Sequence, residues 1–428
     1  MEIPLGSAWM IAVGYFDPGN WSTDLEAGSK FGYDLLWIML VANGVAIYLQ
    51  HLCVRLPFNR GKDLAQVSCL KRKFPTTAGA ILNALLYLAI EAAMVATDLA
   101  QIIGSAMALR MLLGVPLFWG CVISALDVIL VFFIFREHKK PTGEPEGLCN
   151  SLLDAFVAVL MIFVAGCVIV ELVMLRKSIK LGPLLAGTFI PKIRSWEYLT
   201  ATMGIVGATV MPHNLYLHSA LTRREIEAER MKMSGGPGKS LRKRTLEIAA
   251  ALAAAVLVNG GILVMAAAVT EKSGVQLESL EKVADYLRGS LGKLSATLFA
   301  LGLLAAGVSA TIAGTLSGQA VIEGFFEDSR LMRQGMQWRN FMLRGITLSL
   351  ALILATLSAD MADRVLFYSQ VALSLQLPIA IVPLIYATQD SMNRPMRAFS
   401  WAIAALIILM NISLVLSPLI NAKASSAN

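Results

Sequence analysis

Stretches of about twenty apolar residues recur along this sequence and dictate its architecture. Eleven can be drawn, near 4–27, 35–57, 77–112, 116–135, 149–175, 197–220, 245–270, 292–326, 341–358, 364–387 and 397–418. A bilayer core offers no water to backbone N–H and C=O groups, so segments of this length cross it as α-helices that close their hydrogen bonds internally. Composition agrees, since 57% of the 428 residues are hydrophobic and 15% charged, whereas soluble domains carry about 25% charge. The expected architecture is an all-α integral membrane protein, a single polytopic transmembrane domain over 1–428.

The formal charge of +7 would suit a nucleic-acid partner if it lay on one soluble face. With eleven spans, however, the segments 55–73, 136–140, 223–244, 330–344 and 394–397 share one side of the membrane and hold 23 of the 36 Lys and Arg residues. By the positive-inside rule that side is cytoplasmic. The N-terminus is then expected inside and the C-terminus outside, with no nucleic-acid partner. No basic leader or small-residue cleavage pattern marks the first span, which is expected to be mature structure in a prokaryotic plasma membrane. The five cysteines (Cys53, Cys69, Cys121, Cys149, Cys167) form no CxxC and are expected to be packing residues.

The first span is anomalous. Residues 8–21, AWMIAVGYFDPGNW, put Asp17, Pro18, Gly19 and Asn20 where a helix should run. An aspartate at mid-bilayer costs about 2.5–3.5 kcal/mol on insertion scales, and Pro18 removes a backbone donor and disfavours helix for the residue before it. The sixth span repeats the break: in GIVGATVMPHNLYLHS at 204–219, MPHN at 211–214 aligns with DPGN at 17–20, both x-P-x-N, at an offset of 194 residues or five spans. Broken helices at matching places in two five-span halves, inverted because each holds an odd number of spans, point to a transporter's binding site. The expected repeats are 1–175 (helices 1–5) and 197–387 (helices 6–10), with 397–418 as an additional helix 11.

Unwound backbone at mid-membrane is tolerated only where it is buried in protein or lines a cavity, and a cation would satisfy its freed carbonyls. Asp17 offers a negative charge, Asn20 a neutral oxygen, the carbonyl near Ala208 another, and Met211 a thioether. The sulfur discriminates, because Ca2+ and Mg2+ gain little from it whereas Mn2+, Fe2+ and Cd2+ tolerate or favour it. Gap filling by Met211, one of 20 methionines, is the plain alternative. In the third span Glu91, Asp98 and Gln101 share one helical face, and intramembrane acids mark ion or proton routes. Asp98 is the expected proton acceptor; the alternative is a structural acid paired with Arg344 of LRGITL. His213, beside the second break, can titrate near neutral pH on a proton path. Asp127 and Asp154 are lone acids that suggest no role.

Other chemistries fail on spacing. His213 and His218, five apart, lie roughly 140° around a helix from one another and lack the shared face of an HExxH zinc protease. No nucleophile–base pair or zinc triad converges, so no enzyme is expected. GGPGKS within the polar stretch 222–244 has Met233 where a P-loop needs its first glycine, which leaves a basic cytoplasmic loop. The sequons at Asn20 and Asn411 fall inside spans. A static metal sensor would not need paired helix breaks.

DPGN in the first span with GATVMPHNLYLHSAL in the sixth resembles the Nramp family of divalent metal transporters. The resemblance extends through LLWIMLVAN at 35–43, EAAMVATDLAQIIGSA at 91–106, Asn259, GLLAAGVSATIAGTLSGQAVIEGF at 302–325 and SQVALSLQLPIAIVPL at 369–384. It implies the LeuT fold with broken helices 1 and 6, alternating access, and uptake of Mn2+ or Fe2+ with protons. By position it implies metal ligation by the side chains of Asp17, Asn20 and Met211, by the Ala208 carbonyl and, in occluded states, by Gln370. It also implies gating at Asn259 and proton-pathway or gating roles for Glu91, Asp98 and His213. Gln101 stands where the resemblance leads one to expect glutamate, and it cannot release a proton, so coupling is expected to be altered or to fall on Asp98. Ionised Asp17 would bind metal, its proton leaving as metal arrives. The expected partners are the divalent ion, protons and the bilayer, with no cofactor beyond the transported metal, and a monomer is expected. A magnesium-transporting branch with weak or no proton coupling is the alternative; it lacks the methionine. Amino-acid transporters of the same fold need small unwound residues for a substrate carboxylate instead.

Overall fold

The computed structural model describes residues 7–69, 76–134, 147–192, 195–231, 240–274, 276, 279–326, 345–356 and 359–425. The first span is two helices, α1 (Ser7–Gly14) and α2 (Pro18–Phe31), followed by α3 (Leu36–Arg60), the short α4 (Leu64–Ser68), α5 (Thr77–Leu113), α6 (Leu117–Ile134) and α7 (Gly147–Leu175). A short α8 (Leu181–Phe189) leads to the second broken span, α9 (Trp196–Val210) and α10 (Pro212–Met231). Then come α11 (Leu241–Ser273), the amphipathic α12 (Leu280–Leu291) and α13 (Lys293–Phe325), α14 (Gly345–Thr356), α15 (Ala359–Thr388) and α16 (Arg394–Ser425). Among the described residues, seven helices are long and apolar enough to cross a membrane and two apolar ones are shorter. With the two broken spans they account for the eleven expected.

Sequence sets the ends of these helices. Thr76 and Ser240 accept backbone N–H groups at the starts of α5 and α11, and Gly114 and Gly274 close their far ends in left-handed geometry. Burial orders the bundle: 72% of the apolar window of α13 is buried against 33% of that of α16, so α13 is central and α16 faces lipid. In the centre, α5 packs on α13, α2 on α11 and α9 on α15.

Without a hydrophobic force between helices in lipid, close backbone approach supplies the packing. Gly28 of α2 lies so near α11 that a Cβ there would strike the Leu263 carbonyl and come within 2.8 Å of the Ala266 Cβ. Gly28→Val is therefore expected to destabilise the protein by about 1–3 kcal/mol, read as a lower melting temperature in detergent. An unchanged melting temperature would show that α2 and α11 do not pack this closely.

One expectation is corrected. The stretch 222–244 is not a loop throughout, because α10 continues to Met231 and α11 begins at Leu241. The first ten positions stay helical because their charges find partners: Arg223 reaches Asp63 at 3.0 Å, Arg224 reaches Glu323 at 2.5 Å, and the buried Arg244 binds both Glu225 and Glu229. Cys53, Cys69, Cys121 and Cys167 are buried free thiols, while the Cys149 side chain and Arg344 lie outside the described residues.

Candidate functional site

Both breaks have the same cause. In an α-helix the carbonyl of residue i accepts from the N–H of i+4. Pro18 stands at i+4 from Gly14 and Pro212 at i+4 from Ala208, so neither carbonyl can receive its helical donor. The α1 and α9 chains therefore end in open carbonyls, the negative ends of their dipoles, at mid-membrane. Asp17 caps α2, its Oδ2 accepting from the Gly19 N–H at 2.9 Å. Met211 links α9 to α10 at φ 28° and is, among the described residues, the only non-glycine with positive φ. Such a conformation costs on the order of 1–3 kcal/mol and clusters at functional sites.

Three elements converge here. Gln370 of α15 donates through Nε2 to Asp17 Oδ2 at 3.2 Å, and its backbone carbonyl crowds Gly207, the neighbour of Ala208, leaving no room for a Cβ. Asp17, Asn20, Ala208, Met211 and Gln370, all expected from sequence, are buried together at 2% exposure or less. The freed Tyr15 carbonyl accepts from Asn20 Nδ2 at 2.9 Å and Asn259 Nδ2 at 3.1 Å. Asn259 thus sits beside the first break, tied to a ligand candidate through one shared carbonyl.

The chemistry of the site is a surplus of acceptors. Asp17 Oδ1, Asn20 Oδ1, Asn214 Oδ1, Asn259 Oδ1, Gln101 Oε1 and Gln370 Oε1 are buried oxygens without a hydrogen-bond donor. Each unsatisfied buried group costs roughly 1–3 kcal/mol, and a cation removes that cost for those it reaches. Among the described residues no three His, Cys, Asp or Glu converge. A metal held here would be held by carboxylate, amide and backbone oxygens with a thioether.

The third-span face is also present on α5. Asp98 and Gln101 stand side by side, since a Cβ at Gly314 of α13 would lie 3.3 Å from Asp98 Oδ1 and 3.1 Å from Gln101 Nε2. The charge of Asp98 is felt at Asp17, and Gln101 donates to the Ala310 carbonyl at 3.0 Å. Glu91 accepts a hydrogen bond from Tyr87. His213 meets Thr97 at 3.4 Å and lines a narrow cavity with Met94, Tyr216 and Gln376 between α5, α10 and α15.

Sequence reasoning does not find Asn214, Tyr15 or Gln50. Asn214 donates to the Met211 sulfur at 3.3 Å and packs against Gly14. The 194-residue offset sets it opposite Asn20, which is the signal that could have found it. Gln50 bridges the Tyr15 hydroxyl at 3.4 Å and His218 at 2.7 Å. As a single amide in an apolar span it gives no pattern to read.

Comparison with known proteins bears on this geometry. A family model described as natural resistance-associated macrophage protein-like matches residues 8–417. The divalent metal cation transporter MntH of Xylella fastidiosa is 36% identical over 424 residues, 96% of this chain and 84% of that protein. The crystal structure of the Eremococcus coleocola manganese transporter superposes with a TM-score of 0.78 at 28% identity, covering 96% of this chain and 86% of the other. MhsT, solved with L-phenylalanine, shares the fold alone, with a TM-score of 0.57 at 14% identity over 96% of this chain and 98% of its own.

Proposed function

The chain belongs to the Nramp family of divalent metal cation transporters, and from that premise we propose that it imports Mn2+ or Fe2+ by alternating access, with proton symport. It is a multi-pass membrane protein with the all-helical LeuT fold, a transporter and not an enzyme. The observation that carries the choice of cargo is the pairing of donor-free buried oxygens with the Met211 thioether, a set that suits borderline-soft first-row ions and wastes its sulfur on Mg2+ or Ca2+. The manganese-transporting relative supports the same choice.

In this reading Asp17, Asn20, the Ala208 carbonyl, Met211 and Gln370 hold the ion, and Asn259 fixes the first break. The halves 1–175 and 197–387 rearrange as inverted repeats about the two breaks, and the basic face is cytoplasmic. Protons pass along α5, where Asp98 carries the step that the Gln101 amide, with no proton to release, cannot. Glu91 and His213 flank that route.

Uptake into proteoliposomes holding an internal pH dye tests cargo and coupling together. Mn2+ is expected to enter at least about ten-fold faster than Mg2+ or Ca2+, with acidification of the lumen. Mg2+ entering as fast as Mn2+ would replace this reading with the magnesium-transporting one. Mn2+ entry without acidification would remove symport alone.

A further inference from the structure

Two depressions open where α3 and α15 end. The larger, about 660 Å3, is lined by residues that include Arg60, Lys62, Gln66 and Tyr386. The smaller, about 320 Å3, includes Arg55, Asn59, Arg60, Asp390 and Ser391. They share Arg60 and Ala387 and so form one cleft.

The cleft is built for an anion. Three cations line it against one carboxylate. Arg55 is held in place by Ser391, donating through Nε to its hydroxyl at 2.9 Å and through Nη2 to its carbonyl. Arg60 contacts Asp390 at 2.5 Å, but that pair is exposed at 43% and 76% and therefore exchangeable. Lys62 is exposed and, among the described residues, faces no carboxylate. A guanidinium fork beside an ammonium suits phosphate oxygens. The combined space exceeds what a bare phosphate fills and is within the range of sites for larger polar ligands.

Depth favours a lipid over a solute. The apolar run of α3 ends at Phe58 and that of α15 at Tyr386, and both rings are exposed, at 43% and 54% respectively for Phe58 and Tyr386. An exposed tyrosine at the end of a membrane helix, here Tyr386, marks the headgroup level, and basic pockets between helices at that level take anionic headgroups. We propose that this cleft binds the phosphate of an anionic phospholipid, with Arg60 and Lys62 on the phosphate oxygens and the acyl chains outside along Phe58. An occupied cleft bridges α3, α4 and α15, and α15 carries Gln370; the lipid thereby steadies the helix that reaches Asp17.

Native mass spectrometry of the full-length protein titrated with phosphatidylglycerol or phosphatidylcholine tests this, with a separate arm of inorganic phosphate as competitor. Wild type is expected to retain phosphatidylglycerol preferentially. Lys62→Gln should weaken that retention about five-fold, and Lys62→Gln with Arg60→Gln roughly 25-fold. Arg394→Gln with Arg397→Gln, on the neighbouring start of α16, should leave it within about two-fold. Equal retention by wild type and the Lys62/Arg60 variant overturns the proposal, as does an equal loss in the Arg394/Arg397 variant, which would mean diffuse attraction. Displacement of the lipid by millimolar inorganic phosphate overturns the lipid assignment in favour of a soluble anion. Should the double variant fail to fold, Lys62→Gln alone decides, because its exposed side chain makes no contact that the fold needs.

Discussion

Asp17→Asn is expected to bring Mn2+ uptake in proteoliposomes to background and to weaken Mn2+ binding, measured by calorimetry, by at least ~100-fold. Asp17 is the sole charged group among Asp17, Asn20, Ala208, Met211 and Gln370. At a separation of ~4 Å and an effective dielectric of ~20, its charge contributes roughly 4 kcal/mol for each unit of charge on the ion. Dehydration of the ion offsets part of this, and the neutral amide forfeits nearly all of it. The substitution spares the fold, because asparagine caps a helix as well as aspartate does and can accept from the Gly19 N–H as Asp17 Oδ2 does at 2.9 Å. Helical content and melting temperature should stay close to wild type. A folded Asp17→Asn protein with unaltered Mn2+ affinity would remove Asp17 from the site.

The second large effect is on selectivity. Met211→Ala is expected to leave Mn2+ uptake within a few-fold while Ca2+ or Mg2+ gains on it by about ten-fold or more relative to wild type. The oxygens of the site serve hard and borderline ions alike, whereas the thioether contributes only to the softer ones. Removing it lowers the preference without removing charge. Alanine at φ 28° keeps the same backbone strain, so a change in selectivity cannot be assigned to relaxation of the break. Competition uptake with labelled Mn2+ decides: an unchanged ratio would mean that Met211 packs and does not ligate.

Much of this was legible in residue order because membrane folding leaves few options. The spans follow from backbone hydrogen bonding, and the breaks follow from Pro18 and Pro212, whose missing N–H groups act at a fixed distance of four residues. Asp17, Asn20 and Met211 could be placed because they flank those prolines. What stayed hidden depends on contacts between distant segments. Nothing near Asn259 announces that it meets the Tyr15 carbonyl, and nothing in α3 announces that Gln50 joins Tyr15 to His218. The helical course of 222–231 was masked for a related reason: its charges look like solvent-exposed polarity until Asp63, Glu323 and Arg244 are brought beside them.

A site opened by prolines differs from one held open by its cargo. Because Pro18 and Pro212 have no hydrogen to return to Gly14 and Ala208, thermal fluctuation cannot heal either helix after the ion departs. The unloaded carrier thus keeps its receptor assembled on the way back. Capture of the next ion begins from a prepared pocket, and little of its binding free energy is diverted to unwinding. In the proposed alternating-access cycle, high affinity at low external metal is then compatible with repeated turnover.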